Sequence, residues 1–283
     1  MSQKHKAFVQ TKHDWPTTII MSLGAVVVLF PLYMTIAIAL KTPAEMGTVA
    51  EILRLPVNPR WANFTDAIRV ARFGPALRNS TVITGFSVSL TILLNSMVGY
   101  AIGRNMNKLF FRVMFYYFVS AMFIPFAVIM LPIVRQMTML NYDSIPGLIT
   151  LYVVYGLPLS VFFYTAFMKS IPIEFEEAAL MDGASILYTF WKLIFPLMKP
   201  MHATLIIITG LWTWNDFLLA LIILNIRNIN TLALAQFSFQ AQFSTNYNLG
   251  FASYLMALAP MLILFIVAQK WVVNGLTRGG LKT

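Results

Sequence analysis

Six runs of this chain are each apolar over about 20 residues, the length needed to cross the hydrocarbon core of a bilayer. They lie near 17–40, 81–103, 113–134, 146–168, 201–224 and 251–273. Lipid offers no partner to backbone N–H and C=O groups, so each run is expected to be a helix. The reading is therefore an all-α membrane protein of six transmembrane helices, with residues 1–283 as one domain. Pro31, Pro125, Pro132, Pro158 and Pro260 fall inside these runs. Spanning helices tolerate such prolines as kinks, through packing irregularity or as gating points.

Composition supports this class: 59% of residues are hydrophobic and 11% charged, against about 25% charged in soluble domains. The net charge of +10 does not point to nucleic acid, because the bases are spread in short groups at the ends of apolar runs. The first run follows Lys4, Lys6 and Lys12 and contains Ala37-Ile38-Ala39. It is longer than the roughly 7–15 apolar residues of a signal peptide and is expected to be a retained anchor. With both termini inside, twelve Lys and Arg fall inside and eight outside, six of the eight in residues 41–80. The charge rule weighs short loops most, and this first loop is long, so the expectation is N-in and C-in. That loop is either a cap or a solvated connection.

Several chemistries are absent. The chain has no cysteine, and His5, His13 and His202 lie in no HExxH frame, so no metal or catalytic residue is assigned. No Gly-x4-Gly-Lys-Ser/Thr motif exists, so the chain cannot itself supply a phosphate loop for ATP.

The polar stretch 169–200 carries its own helical signals. Pro172 suits a first helical position. Glu174, Glu176 and Glu177 follow at the positive end of the dipole. Ala178 and Ala179 favour helix, and Gly183 suits the stop. Ser185 can cap a second helix, Ile186 to Phe195, ended by Pro196. A helix–turn–helix with small side chains at a membrane mouth suits close approach by another protein.

Glu177-Ala178-Ala179, Gly183 four positions on, then Leu193-Ile194-Phe195-Pro196 resemble the EAA loop of permease subunits in binding-protein-dependent ABC importers. Leu193 and Phe195 depart from that pattern but stay apolar. Trp214-Asn215-Asp216-Phe217 resembles a signature of sugar permeases in the maltose/multiple-sugar group, and Asn274 to Gly280 resembles their C-terminal segment. The resemblance covers essentially the whole chain. It implies a type I importer permease (MetI-like) architecture of the second-permease type, in the plasma membrane of a bacterium or archaeon. It implies that Glu177, Ala178, Ala179, Asp182, Gly183 and Pro196 couple to a separate ATPase dimer, which binds the ATP, so this subunit holds no cofactor and is no enzyme. The other implied partners are a second homologous permease, an external solute-binding protein and a sugar, most simply an oligosaccharide. Glycerol-phosphate permeases share the family group and stay open as an alternative.

For the translocation path the candidates are Trp212, Asn215, Asp216 and Asn95. Asp216 is the only acid placed within a span, and an ionisable group there is a functional hypothesis by default. Trp212 lies four residues earlier and can share its face. A carboxylate beside an indole suits a sugar; the alternative, somewhat favoured, is a bundle-facing Asp paired with a neighbouring helix or subunit. Asn95 and Asn215 can line the path or bond helices together. An ion-coupled carrier or an intramembrane enzyme would need further intramembrane acids or a catalytic pair, and neither is evident.

Overall fold

The computed structural model describes residues 15–224, 229–242 and 247–279. The basic residues Lys4, Lys6 and Lys12, together with His5, His13, Arg227, Gly280 and Lys282, lie outside the described residues. Among the described residues every regular element is helical.

Helix α1 (Trp15–Leu40) is apolar all round and largely uncovered, as suits a lipid-facing span; it buries only Ala37, Ile38 and Ala39 near its end. A 3₁₀ turn (Pro43–Met46), α2 (Val49–Leu53) and α3 (Ala62–Val70) follow. Helix α4 (Phe73–Arg104) is one long rod with a wide π turn at Thr91–Asn95. It begins eight residues before the expected span, at Arg72 in the left-handed region (φ 47°).

The expected third span is sharply broken. Helices α5 (Leu109–Phe123) and α6 (Phe126–Met139) meet at 103°. The cause is Pro125, which drives Ile124 out of the helical region to ψ 114°. Helix α7 (Ile145–Met168) runs unbroken through Pro158. Then come α8 (Glu174–Met181) and α9 (Ile186–Leu197), the latter bent by 74° from α10 (Lys199–Asn215). That bend lies just before the expected fifth span, which is itself broken at Asp216 and Phe217, before α11 (Leu218–Leu224). Helices α12 (Leu232–Gln242) and α13 (Tyr247–Gly279) are the last described elements. Helices α1, α4 and α7 are each long and apolar enough to cross a membrane; the two bent pairs raise the number to five. The apolar part of α13, Tyr247–Ile263, falls just short by length, consistent with a sixth crossing.

The first loop is an ordered cap rather than a solvated link. A helix ends with carbonyls that lack intrahelical donors. At the end of α1, Asn63 Nδ2 donates to Ala39 O and Lys41 O, and Asn248 Nδ2 donates to Ile38 O and Lys41 O. Lys41 Nζ donates to Glu51 O and Ile52 O at 2.6 Å each. Burial pushes the Lys41 ammonium below the ordinary lysine range, with Glu45 and Glu51 acting against it. Backbone N–H groups of Thr42 and Val57 hold the Glu45 carboxyl below the ordinary carboxylate range.

Helices α4 and α7 pack tightly at their glycines. Gly99 and Gly103 lie one turn apart on the α4 face that meets α7. A Cβ on Gly99 would sit 2.3 Å from Tyr164 Cβ, and one on Gly103 would sit 2.9 Å from Met168 Cβ. This is the small-x3-small spacing that lets membrane helices approach closely.

Candidate functional site

Two places combine polar chemistry with irregular backbone. The first is the stretch 169–200. Ile173 accepts the first backbone bonds of α8, from Glu176 and Glu177 N–H, so Pro172 lies just before the cap and not in the first turn as the sequence suggested. Glu174, Glu176 and Glu177 occupy that turn. The helix ends in a Schellman motif: Ala184 N–H donates to Ala179 O and Gly183 N–H to Leu180 O, both at 3.0 Å. Gly183 has φ +84°, a conformation that side chains disfavour, and a Cβ there would meet nothing within 4 Å. Ser185 Oγ then accepts from Tyr188 N–H, capping α9.

Pro196 does not end α9, contrary to the sequence expectation. A wide π turn over Phe190–Ile194 precedes it, with Phe195 N–H reaching back to Phe190 O. Pro196 opens the last turn, where a missing N–H costs little, and the helix runs on to Leu197.

The second half of α9 packs inward through Phe190 and Ile194, whereas the turn between α8 and α9 faces outward. Helix α8 buries a single side chain, Glu176, while Phe175, Leu180 and Met181 are exposed, Met181 at 88%. Ile186, Leu187 and Tyr188 at the start of α9 are exposed too. Glu177, Ala178, Asp182 and Gly183 share this uncovered surface, Ala179 is half-buried, and Pro196 is exposed. An exposed apolar face with acidic groups, held on two short capped helices, has the form of a protein-docking surface.

The second place is the break between α10 and α11. Asp216 leaves the helix (φ −68°, ψ 126°). Its Oδ2 accepts from Leu219 N–H (3.1 Å), Ala220 N–H (3.2 Å) and the Tyr152 hydroxyl of α7 (2.8 Å). The carboxylate therefore caps α11 and ties it to α7. Trp212 lies edge-on to Tyr152, ring centroids 5.5 Å apart, and beside Tyr155 at 5.9 Å. Trp212 and Asp216 are thus brought together through Tyr152. Trp212 keeps 42% of its surface exposed. Asn215 is exposed and donates to Leu211 O of its own helix. Asn95 is elsewhere: it is 1% exposed between α4 and α7, with Nδ2 donating to Val153 O at 3.2 Å, a bond that joins helices. Sequence reasoning missed Tyr152 and Tyr155. It also missed the capping role of Asp216, whose signal was present: an Asx residue directly before Phe217-Leu218-Leu219 is an ordinary helix-start pattern.

Removing the carboxylate orphans three donors. Asp216→Ala is expected to cost about 2–4 kcal/mol, and Asp216→Asn, which keeps an acceptor oxygen, much less. Thermal unfolding of the detergent-purified chain reads this; equal, small losses for both variants would show that Asp216 is no cap.

Comparison with known proteins follows the same lines. Residues 95–278 match the family described as binding-protein-dependent transport system inner membrane component. The multiple sugar-binding transport system permease protein MsmG of Streptococcus mutans is 36% identical, over 93% of this chain and 95% of that protein. The melibiose/raffinose/stachyose import permease protein MelC of Bacillus subtilis is 34% identical, over 96% and 98%. Among solved structures, a chain of a bacterial ABC transporter involved in import of the acidic polysaccharide alginate superposes with a TM-score of 0.74, covering 90% of this chain and 94% of that one. At 22% identity it bears on the fold alone.

Proposed function

Since the chain belongs to the family of inner-membrane components of binding-protein-dependent transport systems, we propose that it is a permease subunit of an ATP-driven importer for an oligosaccharide. The observation that carries this reading is the loop 169–200, whose two capped helices present Phe175, Leu180, Met181 and Ile186 away from their own bundle. That face fits a cleft on an ATPase subunit. ATP is bound there and not on this chain.

The permease works with an ATPase and a substrate-binding protein, as its family does. A second, homologous permease completes the path, in our reading. The sequence charge pattern favours cytoplasmic termini, which puts loop 169–200 on the ATPase side and the ordered cap of residues 41–72 on the side of the binding protein. Relatives named for multiple sugars and for melibiose, raffinose and stachyose favour an oligosaccharide over glycerol phosphate or an ion-coupled carrier. Trp212, Asn215 and Asp216 are the proposed path-facing groups, with the exposed Trp212 ring stacking on sugar carbons; Asn95 is proposed only as packing. ATP closes the ATPase dimer, the docked loop moves, and the spans tilt between two states that differ in their contacts.

The test is uptake by the complete complex in proteoliposomes, with internal ATP, against labelled raffinose, stachyose, maltotriose and glycerol 3-phosphate. ATP-dependent accumulation of at least one oligosaccharide is expected. Accumulation of glycerol 3-phosphate alone would replace the substrate, and accumulation driven by an ion gradient without ATP would replace the class.

A further inference from the structure

Helix α8 carries the outward face but has almost no grip of its own on the bundle. Its eight residues bury one side chain, and that side chain is a carboxylate. Glu176 Oε1 accepts from Arg104 Nε at 2.6 Å, and Oε2 accepts from the Tyr100 hydroxyl at 2.8 Å. Arg104 is the last residue of α4, and Tyr100 lies one turn earlier on the same face. The rest of the guanidinium is also spent: one terminal nitrogen donates to Met168 O and the other to Ile171 O, each at 3.0 Å, closing the end of α7. Arginine suits this place because its planar fork can serve three directions at once, which an ammonium cannot do in fixed geometry. The pair is largely shielded, with side-chain exposures of 15% and 10%, so water and salt screen it weakly. On its other side the Tyr100 ring meets Phe190 of α9, centroids 5.1 Å apart.

We infer that Glu176, Arg104 and Tyr100 form the clasp through which movement of the outward loop reaches α4 and α7. The inference rests on the importer reading above and adds to it which residues transmit the motion. All three are positioning residues, since none lies on the docking face. The close α4–α7 contact at Gly99 and Gly103 lies directly beyond the clasp, so a pull on Glu176 moves two spans together. Without the clasp, the docking face of α8 is intact, yet no other side-chain hydrogen bond among the described residues fixes it to the bundle. ATP hydrolysis then continues and the path does not follow. A buried ion pair broken on one side also leaves an uncompensated charge, so paired replacement is the informative variant.

The chain has no cysteine, which permits a single reporter. Leu218→Cys places a thiol at the exposed start of α11, distant in sequence from the clasp. In the complete complex, with the binding protein present, maleimide labelling is timed without nucleotide and with ATP trapped by vanadate. Hydrolysis and co-purification of the ATPase are measured on the same samples. In the parent, trapping is expected to change the labelling rate by at least about tenfold, as a population shift between two states requires. Glu176→Ala and Arg104→Ala should retain the ATPase and its hydrolysis while the change falls below about twofold. Arg104→Glu with Glu176→Arg should recover part of it. An unaltered response in the single variants would overturn the inference, as would loss of the ATPase together with the response and no recovery in the swap. A parent that holds no ATPase, or whose reporter ignores ATP, would instead remove the importer reading, and the clasp with it.

Discussion

Gly183→Val is expected to abolish ATP-driven uptake while leaving the chain inserted and folded. Gly183 has φ +84°, and both bonds of the Schellman motif depend on that left-handed turn. A β-branched residue disfavours it by about 1–2 kcal/mol. Among the described residues no packing neighbour lies within 4 Å of the added Cβ, so the cost falls on the turn and not on packing. Relaxation swings α9 relative to α8 and breaks up the shared outward face. Gly183→Ala, with the same φ problem and less branching, should lose less. Membrane level, uptake and ATPase co-purification distinguish the outcomes: normal uptake by Gly183→Val would mean that this turn does not set the docking geometry.

Gly99→Leu acts earlier, on assembly of the bundle. The first atom of any side chain there would sit 2.3 Å from Tyr164 Cβ and 3.5 Å from Tyr164 Cα. A flexible tip can rotate away; a backbone and its Cβ cannot. Helices α4 and α7 must separate, and the buried Tyr164 loses its place between them. Its hydroxyl lies 2.7 Å from His202 Nδ1, and His202 Nε2 donates to Phe195 O, so the shift reaches the joint between α9 and α10. Overpacking of this kind costs about 1–3 kcal/mol or more where nothing can yield. A fall of at least about tenfold in the amount of purified chain is expected, since about 1.4 kcal/mol is a factor of ten in an equilibrium. An unchanged yield and unfolding temperature would show that the two helices are not held at this distance.

What the sequence revealed, and what it hid, follows from the range of the interactions. Local signals served well. The Gly183 stop, the Ser185 cap and the acidic first turn of α8 depend on residues within five positions of one another. The long apolar runs place helices because lipid leaves the backbone no alternative. Long-range pairings were not legible. Arg104 reads as one more basic residue at a span end, yet its partner Glu176 is 72 positions away. Asp216 reads as a lone intramembrane acid; its cap on α11 is local, but its tie to α7 through Tyr152, 64 positions earlier, is not legible. The prolines illustrate the boundary between the two cases. Pro125 breaks its span by 103°, whereas Pro158 leaves α7 continuous, so a proline in an apolar run does not by itself locate a break.

The measurement that bears most directly on the account is purification of the tagged chain from its own host membrane in mild detergent, with mass spectrometry of what accompanies it. An ATPase subunit and a second membrane permease are expected, and the ATPase is expected to be lost when the outward face is altered by Met181→Asp with Ile186→Asp. Recovery of the chain alone, still supporting uptake in proteoliposomes without ATP, would contradict it.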